Sequence, residues 1–291
     1  MYYYIVNPAA GGGRINKIQY KLQQMLRDNG IEGEFVKTTG KGDAARIVKI
    51  AQKEGATTIV AIGGDSTVSE VINSFSDKTQ NILGIIPIGR TNILASSLGV
   101  TDWQQAVEVL KKRRIKTIDL GKVNDKYFIT SLEVGFETDF VKERGELSFF
   151  KNLLFKKKVF KSIISYKSFE AKLNFEHNFE IESKIFNISV VSSKYSGKNH
   201  GIFQNDGKLT VYLIPEQTKL ALIKNFSKIL NCDYGGIPFV TKLKAKSILI
   251  DTGNKSHNVY ADSSFVGTTP VQIEISSKKI KAIVSKKRAF K

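Results

Sequence analysis

The sequence is short of cysteine and histidine and has no long apolar segment, and each absence narrows the class of protein. Its one cysteine, Cys232, excludes an intrachain disulfide and a cysteine metal cluster. Its three histidines do not have the spacing of metal ligands. No run reaches the roughly twenty apolar residues that cross a bilayer, and Tyr2–Val6 is too short for the core of a signal peptide. We therefore expect a cytoplasmic protein.

Acidic residues are also scarce relative to basic ones. The chain has 45 lysines and arginines against 27 aspartates and glutamates, a formal net charge of +18. Such a charge favours association with nucleic acid or with an anionic bilayer, although lysines that only face water would give the same balance. Because the sequence contains no nucleic-acid recognition motif, binding to nucleic acid is the least favoured interpretation.

Three glycine turns each follow a β-rich run and precede a helical pattern. They are Gly11–Gly13 after Tyr2–Val6, Gly63–Ser66 after Thr57–Ile62, and Ile88–Thr91 after Leu83–Pro87. Such a turn presents backbone N–H groups at a helix N-terminus, which suits a phosphate. Asp65 has the wrong sign for direct phosphate contact but suits a Mg²⁺ ion that rides on phosphates. Since open α/β sheets bind ligands at their strand ends, we expect the turns to face one crevice.

The pattern along the chain predicts two domains. Residues 1–118 alternate strands with helices, whereas residues 119–291 contain many short strands, among them Lys126–Leu132, Val271–Ile275 and Ala282–Val284. Three helix starts are predicted from capping residues: Ser66, Asp43, and either Thr101 or Asp102. Gly30 is predicted to end the first helix. The last strand of the second region is a candidate to return to the first domain.

The motifs GGDST at Gly63–Thr67 and GIIPIGRTN at Gly84–Asn92 resemble the diacylglycerol kinase catalytic domain. This family includes bacterial diacylglycerol kinases, related lipid kinases and sphingosine kinases, and its form is roughly GGDGTxNE…PxGTxNDFA. The resemblance covers most of the chain. It implies a Rossmann-like nucleotide-binding domain, a β-rich sandwich-like domain for the lipid substrate, and phosphorylation of a lipid hydroxyl with ATP and Mg²⁺. NAD kinases share the GGDG element and are an alternative with a soluble substrate.

The resemblance also implies roles for individual residues. The nucleotide-binding residues would be Asn7, Gly11, Gly12, Gly13, Arg14, Thr38, Gly63, Gly64, Asp65, Ser66, Thr67, Ser69, Glu70, Gly89, Arg90, Thr91 and Asn92. The catalytic positions would be Asp65, Asp119, Asp262 and Ser264. A structural Mg²⁺ would bind Asp206 and the backbones of Phe203 and Lys208, although an Asn-Asp-Gly turn without a metal explains the same residues.

Four positions depart from the family pattern. Ser66 replaces a glycine, Arg90 a threonine, Ile93 a common aspartate, and Ser264 the glutamate that resembles the general base. A serine cannot act as a base at neutral pH without another base beside it, and Asp262 is the nearest carboxylate. A catalytically impaired relative that binds nucleotide or lipid is therefore an alternative function.

The segment Leu147–Phe169 alternates apolar residues with lysines. A basic amphipathic helix of this kind can lie on an anionic membrane, or it can pack on a sheet and expose its lysines to water. A lipid substrate requires some approach to a membrane, so we expect peripheral association through Lys151–Lys161. The sequence leaves the oligomeric state open, with a homodimer as one alternative.

Overall fold

The computed structural model describes most of the chain. The described residues are 1–76, 81–90, 92–139, 149–176, 178–194, 202–203, 206–230 and 233–285. Thr91, Cys232 and most of Tyr195–Asn205 lie outside them. The chain divides into two compact units. The first contains Met1–Leu120 and the segment that begins at Ser277, and the second contains Gly121–Ser276.

The first unit alternates strands and helices. Its elements are β1 (Tyr2–Val6), α1 (Arg14–Asp28), β2 (Gly33–Lys37), α2 (Asp43–Lys53), β3 (Thr58–Gly63), α3 (Asp65–Asn73), β4 (Ile82–Pro87), α4 (Ile93–Ser97), α5 (Trp103–Lys112) and β5 (Ile115–Val123), whose end belongs to the second unit. The strands β2, β1, β3 and β4 are neighbours in that order, and all three pairings are parallel. The carboxyl ends of these strands therefore meet at one edge of the sheet.

Burial and capping explain these elements. Every residue of β3 is buried, as expected for a central parallel strand. The Asp102 carboxylate accepts a hydrogen bond from the backbone N–H of Gln105 at 2.8 Å, so Asp102 caps α5 as predicted. Gly30 follows α1 with a positive φ of 65°, and its N–H donates to the carbonyl of Arg27 at 2.9 Å. Gly30 therefore ends α1, also as predicted.

Two predicted caps are wrong. Ser66 lies inside α3, because the helix begins at Asp65 and the extended residue before it is Gly64. Asp43 is the first residue of α2, and the residue before that helix is Gly42. The N-cap residues Gly42 and Gly64 are glycines and make no side-chain capping hydrogen bond of their own. Since Ser66 is helical, it carries none of the strain that a left-handed backbone would impose on a serine.

The second unit consists mainly of antiparallel strands. Its elements are β6 (Lys126–Phe128), β7 (Ser131–Gly135), α6 (Phe149–Ser165), β8 (Phe169–Phe175), β9 (Phe179–Val191), β10 (Ser193–Lys194), β11 (Ile202–Phe203), β12 (Leu209–Pro215), α7 (Lys219–Lys224), α8 (Phe226–Leu230), β13 (Thr241–Ala245), β14 (Ser247–Asp251), β15 (Asn258–Ala261), β16 (Ser264–Thr268) and β17 (Val271–Ile283). The order of neighbouring strands is β16, β15, β7, β9, β8, β14 and β17, and β12 pairs with both β9 and β13.

Among the described residues of the second unit, the buried apolar side chains form two clusters. The larger cluster is formed by side chains of the strands, including Leu132, Ile188 and Ile250. The smaller cluster includes Val159 of α6 and Leu222 of α7. Beyond Ser276, β17 continues into the first unit, where Lys281 and Ala282 pair in parallel with β4. No helix within the described residues is long and apolar enough to cross a bilayer.

Candidate active site

The first glycine turn, Gly11–Gly13, leads from β1 into α1 and reaches the third turn. Its three glycines have positive φ angles of 59°, 71° and 80°, which residues with a Cβ adopt at a cost. A Cβ on Gly11 would lie 2.1 Å from the carbonyl oxygen of Ile88. Glycine therefore allows the backbones of the first and third turns to meet. Arg14 begins α1 directly after this turn, and its side chain is exposed.

The second and third turns are in direct backbone contact. A Cβ on Gly89 would lie only 2.4 Å from the Cα of Gly64. The backbone N–H groups of Ile88 and Gly89 both donate to the carbonyl of Gly63, at 3.0 and 3.2 Å. The crossing excludes a side chain at Gly89 and leaves little room at Gly64, whose Cβ would lie 3.2 Å from the Cα of Gly89.

Asp65 lies where the second and third turns meet. It is the first residue of α3, and its Oδ1 accepts a hydrogen bond from the backbone N–H of Leu94 at 3.0 Å. Asn92 precedes α4 in the left-handed conformation, with φ of 49°. Its Nδ2 donates to the carbonyl of Gly89 at 2.9 Å. The start of α4 therefore orients the Asp65 carboxylate beside the two turns.

Asn7 connects the first turn to the second. Its Nδ2 donates to Thr67 Oγ1 at 2.9 Å, and its Oδ1 accepts from the backbone N–H of Ala9 at 3.0 Å. Thr67 is buried in the first turn of α3. Together with the glycine contacts, this bond brings all three predicted turns to one place within the first unit. The structure thus groups Asn7, Gly11–Gly13, Gly63–Thr67, Gly89 and Asn92.

Two other predicted residues support the edge of this site. The backbone N–H of Thr38, which follows β2, donates to the carbonyl of Val6 at 2.8 Å. Glu70 Oε1 accepts from the backbone N–H of Ala44 at 2.9 Å. Glu70 thus supplies the carboxylate that stabilises the beginning of α2, a place where negative charge is favourable.

The remaining predicted nucleotide residues differ in exposure. Ser66 and Arg90 are exposed, and Ser69 is partly buried in α3. Thr91 lies outside the described residues. Arg14 directly follows the first turn, and Arg90 lies in the third turn. These two turns contact each other through Gly11 and Ile88.

Asp43 belongs to a small polar cluster beside the site. Its carboxylate accepts hydrogen bonds from Arg46 Nε at 2.7 Å and from the backbone N–H of Thr39 at 2.8 Å. The Arg46 guanidinium and then the Thr39 N–H lower the pKa of Asp43 to about 2. The carboxylate thus orders the loop between β2 and α2 instead of capping the helix.

Asp119 is a buried carboxylate of the first unit and contacts a lysine. It is 2% exposed, and Lys279 Nζ lies 2.8 Å from its Oδ1. Asp119 lies on β5 and Lys279 on β17. A positive side chain therefore pairs with this predicted catalytic aspartate.

The two predicted catalytic positions of the second unit differ in role. Asp262 is buried, and its carboxylate accepts hydrogen bonds from the backbone N–H groups of Ile129 and Thr130, both at 2.8 Å. The Thr130 hydroxyl donates to the same carboxylate. Asp262 therefore holds the connection between β6 and β7. Ser264 begins β16 and is exposed.

At the predicted metal turn, Asp206 is paired with a lysine from a neighbouring strand. Lys244 Nζ forms an ion pair with Asp206 Oδ2, and the backbone N–H of Lys208 donates to Oδ1 at 3.2 Å. Desolvation raises the pKa of Asp206, but the bonds to Lys244 and Lys208 outweigh it and lower the pKa overall. Phe203 ends β11. In the part of the chain that the structure describes, no three Asp, Glu, His or Cys side chains form a metal site.

The sequence interpretation missed a buried polar network in the second unit. Glu133 accepts hydrogen bonds from Ser189 Oγ at 2.8 Å and from Asn187 Nδ2 at 3.4 Å. Asn187 Oδ1 accepts from the backbone N–H of Glu137 at 2.9 Å, and the Tyr234 hydroxyl donates to Glu137. The available signal was Glu133 itself, a charged residue inside the apolar strand β7.

Family models match nearly the whole chain. The diacylglycerol kinase catalytic domain matches residues 1–123. The YegS C-terminal NAD kinase beta sandwich-like domain matches residues 131–284. A curated relative from Cronobacter sakazakii, named probable lipid kinase YegS-like, is 38% identical over 136 residues, which are 45% of this chain and 46% of that protein. The match therefore spans about half the length of that relative.

Solved structures show the same fold. A diacylglycerol kinase from Bacillus anthracis str. Sterne has a TM-score of 0.73 at 23% identity, covering 98% of this chain and 97% of that one. An NAD kinase from Archaeoglobus fulgidus in complex with ATP has a TM-score of 0.55 at 13% identity, covering 99% of this chain and 96% of that one. These comparisons confirm the predicted fold class, an α/β N-terminal domain followed by a β-sandwich domain.

Proposed function

This chain belongs to the family of lipid kinases built from a diacylglycerol kinase catalytic domain and a YegS-type C-terminal domain, and from that membership we propose its reaction. It transfers the γ-phosphoryl group of ATP, with Mg²⁺, to a hydroxyl of diacylglycerol or a related lipid. The observation that carries the proposal is the convergence of the three glycine turns around Asp65.

The helix N-termini and the side-chain-free glycines of the three turns are suited to binding a triphosphate. The first N–H groups of α1 and α3 have no partner inside their own helices, and a helix N-terminus attracts anions. The close contacts of Gly11 and Gly89 keep side chains out of the space between the turns. We therefore assign the phosphates to the N-termini of α1 and α3 beside these turns. The exposed guanidinium groups of Arg14 and Arg90 are further partners for phosphate oxygens.

The Asp65 carboxylate fits a Mg²⁺ ion that is bound mainly by phosphates. Such ions take one or two protein carboxylates and complete their shell with phosphate and water oxygens. The bond from Leu94 to Asp65 Oδ1 fixes the direction of this carboxylate. When bound, Mg²⁺ would supply neutralisation of the phosphate charge. The chain's own contribution is to hold the acceptor hydroxyl and the phosphates in line.

The acceptor lipid resides in a bilayer, so the enzyme works at a membrane surface. We assign peripheral association to the lysine-rich region Lys151–Lys161, in which Lys157, Lys158 and Lys161 are exposed on α6. The side chains from Lys151 to Lys156 lie outside the described residues. Attraction between lysines and anionic lipids supports this assignment.

Labelled ATP incubated with a total lipid extract tests the reaction. Wild type should produce a labelled lipid, and Asp65→Asn should not, while Asp28→Ala in the same unit should match wild type because Asp28 is exposed at the end of α1. NAD added as a separate acceptor should remain unlabelled. Failure of wild type to label any lipid, or equal labelling by Asp65→Asn, would contradict the proposal.

One observation favours a second candidate, a nucleotide- or lipid-binding relative with impaired catalysis. Both oxygens of Asp262 accept backbone hydrogen bonds, and Ser264 offers only a hydroxyl. A missing general base typically lowers turnover by about 10²- to 10⁴-fold. Under this candidate, Ser264→Glu raises turnover by at least about a hundredfold, and Ser263→Glu, at an exposed neighbouring position, does not. Turnover of wild type that Ser264→Glu leaves unchanged would exclude this candidate.

A further inference from the structure

Three large apolar side chains are exposed on neighbouring helices of the second unit. Phe160 and Ile164 lie one turn apart on α6 and are 40% and 49% exposed, and Leu220 on α7 is 63% exposed. We call these three residues the α6–α7 patch. Exposed apolar side chains are ordinary when isolated, but a group on one surface marks an interaction site.

The two helices are in contact, and Leu220 is adjacent to the residue that ties the start of α7 to the end of α6. Lys219, the first residue of α7, donates from Nζ to the carbonyls of Ile163 and Tyr166, at 3.1 and 2.7 Å. The rings of Phe160 and Phe226 meet edge to face, with centroids 5.9 Å apart. These contacts join the end of α6 to the start of α7, and α6 to α8.

The inward faces of the same helices are already occupied. Val159 and Ile163 of α6 and Leu222 of α7 are buried in the smaller apolar cluster of the second unit. The patch residues are therefore not needed to fill that cluster. Their exposure is a separate property of the helix pair.

The surroundings of the patch are positively charged. The segments 157–167 and 218–230 contain seven lysines and no aspartate or glutamate. The side chains of Lys157, Lys158, Lys161, Lys167, Lys224 and Lys228 are exposed. Lys219 and Lys228 also donate to backbone carbonyls. Apolar side chains with lysines on either side match a bilayer with anionic head groups, where the lysines contact phosphate and the apolar groups enter the acyl boundary.

We propose that the α6–α7 patch inserts into an anionic bilayer and docks the enzyme on its lipid substrate. The inference rests on the proposed lipid kinase function and extends it, because binding is assigned to apolar insertion at named residues as well as to charge. Attraction by lysines alone would vanish at high salt, whereas insertion persists.

Vesicle sedimentation tests the insertion without any catalysis. The patch variant carries Phe160→Ser, Ile164→Ser and Leu220→Ser. The control variant changes three exposed apolar residues elsewhere, Tyr20→Ser, Ile115→Ser and Phe179→Ser, which are 78%, 40% and 48% exposed. The vesicles contain either phosphatidylcholine alone or an equal mixture with phosphatidylglycerol, and both variants are checked for a wild-type melting curve.

Wild type and the control variant should bind the phosphatidylglycerol vesicles, and the patch variant should bind at least about tenfold more weakly. In about 0.5 M salt, wild type should retain part of its binding while the patch variant retains none. Equal binding by patch and control variants overturns the proposal. So does equal binding of wild type to both vesicle types, since that would exclude an anionic surface as the partner.

Two further readouts separate this proposal from others. In detergent micelles with a short-chain diacylglycerol, the patch variant should keep wild-type turnover, because no bilayer is involved. No turnover of any lipid by wild type, together with normal vesicle binding, would reject the kinase reaction and leave the docking surface standing. Light scattering measures mass in solution, and a dimer that the patch variant alone converts to monomer would reassign the patch to self-association and overturn the proposal.

Discussion

The Asp65 carboxylate accepts a hydrogen bond from the backbone N–H of Leu94 at 3.0 Å. This bond joins the first residue of α3 to the second residue of α4, the helices that follow the second and third glycine turns. One side chain therefore combines two tasks. It fixes the geometry between two turns, and it presents a negative charge where the proposed Mg²⁺ and phosphates bind.

Substitutions at Asp65 should separate these two tasks. Asp65→Asn keeps an oxygen that can accept the Leu94 N–H, so its stability should stay near that of wild type. Asp65→Ala removes the acceptor and should lower the free energy of unfolding by about 1 kcal/mol. Both should lower phosphoryl transfer by at least about a hundredfold, because both remove the charge.

Urea unfolding and turnover of labelled ATP measure the two effects. Asp28→Ala serves as the control for the loss of a carboxylate from the first unit. If Asp65→Asn kept wild-type turnover, the charge of Asp65 would have no part in the reaction.

Gly89→Ala should damage the site through its backbone. The new Cβ would lie 2.4 Å from the Cα of Gly64, so the second and third turns must separate. We expect a loss of about 1–3 kcal/mol in the free energy of unfolding and at least about tenfold weaker nucleotide binding. Gly235→Ala is the matched control, because its Cβ would have no atom within 4 Å. A Gly89→Ala protein as stable as this control would show that the close contact is unimportant.

Asp43 should make stability depend on pH. Its folded pKa of about 2 lies below the ordinary value of 3.8, so its contribution is present above pH 3.8 and is lost as the pH falls toward 2. The difference in melting temperature between wild type and Asp43→Asn should therefore be constant from pH 5 to 7 and shrink in acid. Glu32→Gln, an exposed substitution in the same unit, should show no such trend. A difference that grows as the pH falls would contradict this assignment.

Lys244 should decide whether the Asp206 turn responds to Mg²⁺. The ammonium group already neutralises Asp206, so wild type without nucleotide should melt at the same temperature with Mg²⁺ or with a chelator. In Lys244→Met the carboxylate is released, and added Mg²⁺ should raise the melting temperature. Lys242→Met on the same strand is the control. A wild-type protein that loses stability in chelator would instead support the metal site that the sequence predicts.

The glycine turns could be predicted because their signals are local. A fully apolar run, two glycines and an aspartate at Thr58–Asp65 are visible in a single stretch of sequence. The true start of α3 could not be predicted, and the expected cap at Ser66 is wrong, because the helix start depends on Gly64, whose extended backbone lets Asp65 become helical. The partner of Asp65 is Leu94, 29 residues away, and only the folded chain reveals that contact.

The second unit was harder to predict from sequence. The segment Lys126–Leu132 reads as one strand but forms part of two, β6 and β7. Val271–Ile275 and Ala282–Val284 read as two strands, yet β17 runs unbroken from Val271 to Ile283, because a long strand tolerates polar residues such as the partly buried Lys278 and the exposed Lys279 between its pairing segments. The helices α7 and α8 have only six and five residues, too short for a helical pattern.

Buried polar groups escaped prediction for a different reason. Glu133, Asn187 and Glu137 come from separate strands or connections, and their partners become neighbours only through the pairing of β7 with β9. Likewise, the lysines beside Asp119 and Asp206 are distant in sequence, at positions 279 and 244. Charge pairing of this kind depends on register and carries no local signature.

Calorimetric titration of ATP–Mg²⁺ into wild type and Gly89→Ala tests the central claim most directly, namely that the three turns of the first unit hold one nucleoside triphosphate. We expect a single site per chain in wild type, with a dissociation constant between about 1 μM and 1 mM, and binding at least about tenfold weaker in Gly89→Ala. No detectable nucleotide binding by wild type, or identical binding by both proteins, would contradict it.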